Sequence, residues 1–141
     1  MGPPRESPLE AAVVRVGDRW SLLVVEALLE GPRRFGELLE SLAGIAPNIL
    51  SHRLKHLEKE GLVLSRPYSE RPLRLEYELS ATGGELAGAL RLLAQWGART
   101  AADTEPGLRH EVCGTALVAR WYCPTCARLV EDREGVELHR L

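Results

Sequence analysis

A mainly helical domain with one small β-hairpin, an α+β arrangement followed by a short hairpin module of different character, is the architecture the sequence predicts. Three observations carry it. Two short helices follow one another between Phe35 and Glu60. Two alternating segments, Leu62-Val-Leu-Ser-Arg66 and Leu73-Arg-Leu-Glu-Tyr-Glu-Leu79, flank the turn-forming Pro67-Tyr-Ser-Glu-Arg-Pro72. All three cysteines lie beyond residue 108. Helix, turn, helix and a hairpin bearing arginines, in that order, outline a winged helix-turn-helix, which makes nucleic acid the first partner to consider.

From the start of the chain, Leu9, Ala12, Val13 and Val16 form one stripe of a helix over Pro8 to Val16. A second helix, Trp20 to Leu29, is apolar nearly all round and belongs in the core; Asp18 suits its N-cap and Gly31-Pro32 ends it. Phe35, Leu38, Leu39 and Leu42 recur at three- and four-residue spacing, and Gly44 stops that helix. Pro47 opens the next one, because a proline in the first turn gives up an N–H that has no helical partner. Leu50, Leu54 and Leu57 are expected to face inward from it, with Asn48, Ser51, His52, Lys55 and Lys59 on the other face, and Gly61 at its end. After the hairpin, Ser80-Ala-Thr82 is placed to cap a long helix running to about Arg99, with Leu86, Leu90, Leu93 and Gly97 in one row and Trp96 beside it. The last helix can pack back on its own domain or pair with the first helix and the same elements of a second subunit; the pairing is expected, because it buries apolar area that a single winged domain cannot cover alone. Residues 1–99 thus read as one domain, residues 100–107 as a polar linker, and residues 108–141 as a separate module with no internal repeat visible in its sequence.

An apolar content of 45% in 141 residues allows one ordinary core with an appendage and excludes a large multidomain enzyme. The apolar run Leu22 to Leu29 is too short to cross a bilayer. The first residues suggest no signal peptide, and Glu6 stands where a myristoylation motif requires Ser or Thr, so the cytoplasm is the expected compartment. A formal net charge of -2 speaks against nucleic acid until it is divided along the chain. Residues 33–75 carry eight basic against five acidic side chains, a net +3, while both flanking segments are acidic. The positive block coincides with the helix-turn-helix and hairpin.

Five stretches together resemble the HxlR family of bacterial winged-helix regulators, close in architecture to MarR-type dimers. They are Val16-Gly-Asp-Arg-Trp-Ser-Leu-Leu23, Arg34-Phe-Gly-Glu-Leu38, Gly44-Ile-Ala-Pro-Asn-Ile-Leu-Ser-His-Arg-Leu-Lys-His-Leu-Glu-Lys-Glu-Gly-Leu62, Arg71-Pro-Leu-Arg-Leu-Glu-Tyr-Glu-Leu79 and Trp96-Gly97. The resemblance covers Ser7 to about Trp96. It implies a homodimeric repressor or activator whose helix over Pro47 to Glu60 enters the major groove while the hairpin near Arg71 and Arg74 reaches the minor groove or its phosphates. Many members of that family carry a cysteine beside a proline just before the first helix, and some use it to sense oxidants. Here Ser7-Pro8 occupies the place, and a hydroxyl cannot do thiolate chemistry at neutral pH.

Arginine and lysine bonds to phosphate set affinity and its salt dependence, whereas base-edge bonds set sequence preference. The residues expected at base edges are Asn48, Ser51, His52 and Arg53, since the first turns of a recognition helix approach the bases. Those expected at phosphates are Arg33, Arg34, Lys55, Arg66, Arg71 and Arg74. His52 and His56, four apart, have no acidic or thiol partner near them in sequence and make no metal site.

The tail reads His110-x-x-Cys113-Gly, nine residues, then Cys123-Pro-Thr-Cys126. Two knuckles of this spacing supply four N/S ligands for tetrahedral Zn(II), and a full protein set marks a structural site, because a catalytic zinc keeps one position open. The segment Thr115 to Tyr122 is expected to form a hairpin that brings the knuckles together. His139 is the alternative fourth ligand, and a Cys123–Cys126 redox pair is the competing reading.

A dimeric, sequence-specific transcriptional regulator with an inverted-repeat operator is therefore the leading expectation. Two others stand beside it: a winged-helix and zinc-knuckle module that docks a protein, and a regulator whose tail responds to metal or oxidant. The chain offers no Ser/His/Asp set, phosphate-cradling glycine loop or carboxylate pair from which to build an enzyme.

Overall fold

The computed structural model describes residues 6–101, 107–131 and 133–134. Residues 102–106 of the expected linker, and His139, lie outside the described residues. The chain divides into two compact units, residues 1–90 and 91–141. The first runs α1 (Pro8–Val16), α2 (Arg19–Leu29), β1 (Arg33–Arg34), α3 (Phe35–Ser41), α4 (Pro47–Lys59), β2 (Val63–Glu70), β3 (Leu73–Leu79) and α5 (Ala81–Gly84), then the start of α6 (Ala87–Thr100). The second contains the rest of α6 and two short paired strands, β4 (Tyr122–Cys123) and β5 (Arg128–Leu129).

The core of the first unit gathers around α4, whose Leu50, Leu54 and Leu57 are fully buried. They pack with Val24, Val25 and Leu28 of α2, Leu38 of α3, and Leu62 and Val63 at the entry to the hairpin. Each such side chain contributes roughly 1.5–3 kcal/mol by leaving water. Leu86 and Leu90 lie partly buried against this cluster, whereas Leu92, Leu93 and Trp96 further along α6 are exposed. Of the α1 stripe only Val16 is buried; Leu9 and Val13 are about half exposed, at 54% and 53%. Ser7 serves α1 as its cap, its Oγ accepting from the Glu10 N–H at 3.0 Å.

Asp18 caps α2 by accepting from the Ser21 N–H at 2.9 Å, and the same Oδ1 lies 3.4 Å from Arg53 Nε on α4. Burial pushes the Asp18 carboxyl upward, but hydrogen bonding from Ser21 and the Arg53 charge outweigh it and hold the group below its ordinary range. At its other end α4 closes in a Schellman turn: Leu62 N–H donates to Leu57 O at 2.9 Å and Gly61 N–H to Glu58 O at 3.0 Å. Gly61 has φ +72°, the left-handed conformation this turn demands.

The sheet has order β1-β3-β2 and is antiparallel throughout. Its hairpin differs from the sequence expectation of a six-residue tip. β2 continues through Pro67 to Glu70, leaving Arg71-Pro72 as the turn. Pro67 is tolerated because β2 is an edge strand, and a bulge at Tyr68 lets Pro67 face Leu75 while Ser69 faces Arg74. Two-residue β1, which pairs Arg33 with Tyr77 and Arg34 with Glu76, is too short to leave a periodic signal.

The long helix expected from Ser80 to Arg99 is instead two helices, broken at Glu85 and Leu86. Ser80 caps the first by accepting from Gly83 N–H at 3.0 Å and also donates to Gly61 O at 2.6 Å, so α5 is tied to the end of α4. The tie brings Gly83 so close to the hairpin that a Cβ there would stand 2.1 Å from Leu62 O, whereas one at Gly84 would meet nothing within 4 Å.

Gly83→Ala should therefore destabilise the domain by at least the roughly 1–3 kcal/mol of an overpacked site, while Gly84→Ala should be neutral or stabilising by up to about 1 kcal/mol; chemical denaturation of both variants decides. Asp18→Ala should cost about 1 kcal/mol near pH 7. Because the folded carboxyl is depressed, that deficit should shrink as pH falls below the ordinary carboxylate range and through the lowered value. Asp18→Asn keeps a cap and should lose less; a deficit unchanged by acid would count against the Asp18–Arg53 pairing.

Candidate nucleic-acid interface

Burying three leucines fixes the rotation of α4 and leaves its opposite face in water. Asn48, Ile49, His52, Lys55 and Lys59 are exposed there, and Ser51 is half-buried beside them. The first-turn N–H groups of α4 receive no side-chain cap, since Ala46 precedes Pro47. Ile49 is an addition to the residues expected from the sequence. Its signal is an exposed branched apolar side chain next to Asn48, a group suited to a thymine methyl.

Several arginines of the positive block are engaged within the fold. Arg53 turns to Asp18, because position 53 lies on the flank of α4 that faces the start of α2. Arg33 donates from Nε to Ala27 O at 3.0 Å and pairs with Glu30, closing the C-terminal end of α2. Arg66 pairs with Glu78 at 2.6 Å. Arg34 is exposed, and its guanidinium lies 4.2 Å over the ring of Tyr68, the bulged residue of β2. By contrast Lys55, Arg71 and Arg74 are exposed and take part in no salt bridge among the described residues.

The far end of α4 is joined to α1. Arg15 donates from Nε to Glu60 Oε2 at 2.8 Å and from Nη2 to Glu60 O at 2.7 Å, and His56 Nε2 lies 2.8 Å from Arg15 O. His56 is thus used structurally, while His52 stands exposed one turn earlier. The role of Arg15 has no sequence signature, because nothing in the spacing links residue 15 to residue 60.

In the second unit the four expected ligands stand as two pairs. His110 Nδ1 lies 3.3 Å from Cys113 Sγ, which is 3.2 Å from Thr115 Oγ1. Hydrogen bonds from Thr115, and then from His110, draw the Cys113 thiol down to about 7. Cys123 and Cys126 face one another across the next turn, and hydrogen bonding from Cys126 lowers the Cys123 thiol. All three cysteines are free thiols, and no three His, Cys, Asp or Glu side chains are gathered in metal-binding range among the described residues.

Comparison with known proteins places this arrangement. The model of the HxlR-like helix-turn-helix family matches residues 15–105. An HTH-type transcriptional regulator of Mycobacterium tuberculosis is 38% identical over 125 residues, covering 86% of this chain and 78% of the relative. The HTH-type regulator YtcD of Bacillus subtilis is 32% identical over 113 residues, covering 77% and 90%. A solved structure of YtcD aligns with TM-score 0.63 at 33% identity over 67% of this chain and 96% of that one. The redox regulator HypR in its oxidized form aligns with TM-score 0.62 at 26% identity, over 69% and 99%. The chain therefore belongs to the HxlR-like helix-turn-helix family, and its relatives from M. tuberculosis and B. subtilis are HTH-type transcriptional regulators.

Proposed function

We propose that this protein is a sequence-specific, DNA-binding transcriptional regulator that acts as a homodimer on an inverted repeat. The observation that carries the reading is the exposed face of α4, with Asn48, Ile49, Ser51 and His52 in its first turns, followed directly by a hairpin that presents Arg71 and Arg74, neither of them in a salt bridge among the described residues. In this reading the first turns of α4 read base edges in the major groove. Lys55, Arg34, Arg71 and Arg74 hold phosphates, the last two from the wing along the backbone or minor groove. Arg33, Arg53 and Arg66 act through the fold, each already joined to an acid.

Dimerisation rests on uncovered apolar surface. Leu9, Val13 and Val14 of α1 are exposed, as are Leu92, Leu93 and Trp96 of α6, and a two-fold interface that buries them supplies two reading helices at once. The bonds from Arg15 to Glu60 then join the interface helix to the reading helix.

Genomic fragments recovered with the purified protein should share an inverted repeat with half-site centres about 10 base pairs, or a multiple, apart; fragments with no shared repeat would sink the reading. On such a site Arg71→Ala with Arg74→Ala should weaken binding to every duplex and lower the salt slope by about 0.9 for each phosphate no longer neutralised. Asn48→Ala should instead cost about 1–3 kcal/mol on the preferred site and little on random duplex. For the assembly, Val13→Glu should shift the light-scattering mass from dimer to monomer and weaken operator binding with it.

A further inference from the structure

Although no repeat is visible in the residues of the tail, its backbone contains one. In the first copy His110 N–H donates to Thr115 O at 2.9 Å, Arg109 bridges Ala116, and Leu117 N–H donates to Leu108 O at 2.7 Å. In the second, Cys123 pairs with Arg128, Tyr122 with Leu129, and Val130 N–H donates to Trp121 O at 2.8 Å. The copies are offset by thirteen residues at every level: 108 with 121, 110 with 123, 113 with 126, 117 with 130. Residues Val118 to Arg120 join them, so the segment from Thr115 to Tyr122 is the outgoing arm of one hairpin and the incoming arm of the next, not the single hairpin expected from the sequence.

The match extends to the turns. Gly114 follows Cys113 at φ +68° and donates its N–H to His110 O at 2.7 Å. Ala127 follows Cys126 at φ +53° and is the one non-glycine residue with positive φ among those described. An alanine held in a conformation that L side chains rarely adopt needs a reason, and reproducing the glycine turn of the first copy supplies it. The two turns therefore place their potential ligands equivalently, at the first and fourth positions of each: His110 and Cys113, Cys123 and Cys126.

We propose that these two hairpins, whose ligand pairs are not gathered into one cluster among the described residues, are drawn together as the halves of a single structural Zn(II) site with His110, Cys113, Cys123 and Cys126 as its four ligands. One imidazole and three thiols, which release their protons to solvent on binding, make a closed tetrahedral set with no position left for water. Among the described residues the hairpins have little apolar core to hold them. Not one described residue of 107–134 is fully buried, and Val112, Val118, Trp121, Tyr122 and Leu129 are exposed. A module so poor in core needs a crosslink. A Cys123–Cys126 disulfide would tie only the second turn to itself, whereas a metal spanning both turns ties hairpin to hairpin. The repeat also chooses His110 over His139, because His110 occupies the place that Cys123 holds in the second copy. The relative from M. tuberculosis bears on the extent of the module: a match covering 86% of this chain cannot fit within residues 1–107, so the likeness continues into the tail.

The test uses the full chain, reduced, with Zn(II) or Co(II) as the sole added ligand. One zinc per chain should survive dialysis, and the cobalt form should show the visible bands of a tetrahedral thiolate site. Zinc should protect all three thiols from alkylation. Cys113→Ser, Cys123→Ser and Cys126→Ser should each weaken binding by more than about 100-fold, beyond the 10–100-fold typical of losing an outer-shell partner. His110→Ala should do the same, His110→Cys should restore the site, and His139→Ala should leave it unchanged. Thermal melting of the winged unit separates loss of metal from loss of fold. No retained zinc with all thiols reduced would overturn the proposal, as would zinc that survives Cys123→Ser, one zinc per two chains, or dependence on His139 in place of His110.

Discussion

A single amphipathic requirement organises the winged unit: α4 has to bury Leu50, Leu54 and Leu57 while keeping the opposite side wet. Truncating any one of these in a packed core costs about 2–5 kcal/mol, a large part of a small domain's stability, so the helix has little freedom to rotate. α2 and α3 supply the apolar surface that receives the stripe. The Schellman turn at Gly61 then sends the chain straight from the stripe into β2, and Ser80 returns from β3 to bond the same turn. The exposed face of α4 and the hairpin are consequently set by one buried row.

Electrostatics adds a second lesson. Counted along the chain, residues 33–75 form a positive block between acidic neighbours. Folding mixes the segments: Asp18 and Glu30 come from before the block and Glu78 from after it, and they take up Arg53, Arg33 and Arg66. These exposed or half-exposed pairs are individually weak, about 0–1 kcal/mol each. Their larger effect is selective, because they withdraw three of the eight cations from the surface offered to an anion and leave Lys55 and Lys59 on α4, Arg71 and Arg74 at the wing turn, and Arg34 over Tyr68. Charge counted along the sequence thus locates the surface while overstating the number of groups free to serve it.

What is legible in the sequence and what is not divides along physical lines. Helical period, Pro47 and Gly61 locate α4 and its buried stripe, since each is a local signal. The hairpin is visible, but its prolines suggest a wide tip; only edge position and the Tyr68 bulge explain how Pro67 remains in a strand. The approach of Gly83 in α5 to the Leu62 carbonyl, close to the break before α6, is a tertiary contact with no sequence signature. The engagement of Arg53 by Asp18 is hidden for the same reason. In the tail the ligand spacing is plain, yet the repeat is not, because Arg109 and Tyr122, or Thr115 and Arg128, share a backbone role and no chemistry.

The three bonds between Arg15, His56 and Glu60 have a mechanical consequence. They grip α4 at its C-terminal end, and Asn48 lies twelve residues away, roughly 18 Å at the helical rise. Over that arm, a tilt of about 5° at the grip moves the tip by roughly 1.5 Å, well beyond the about 0.5 Å within which a binding constellation must be held. The same tilt carries Leu50, ten residues from the grip, by roughly 1.3 Å, so in the proposed dimer a shift of α1 reaches the tip of α4 only by displacing the packed leucine stripe with it. In the proposed dimer the helix is a lever with its handle at the subunit boundary and its shaft held by the core.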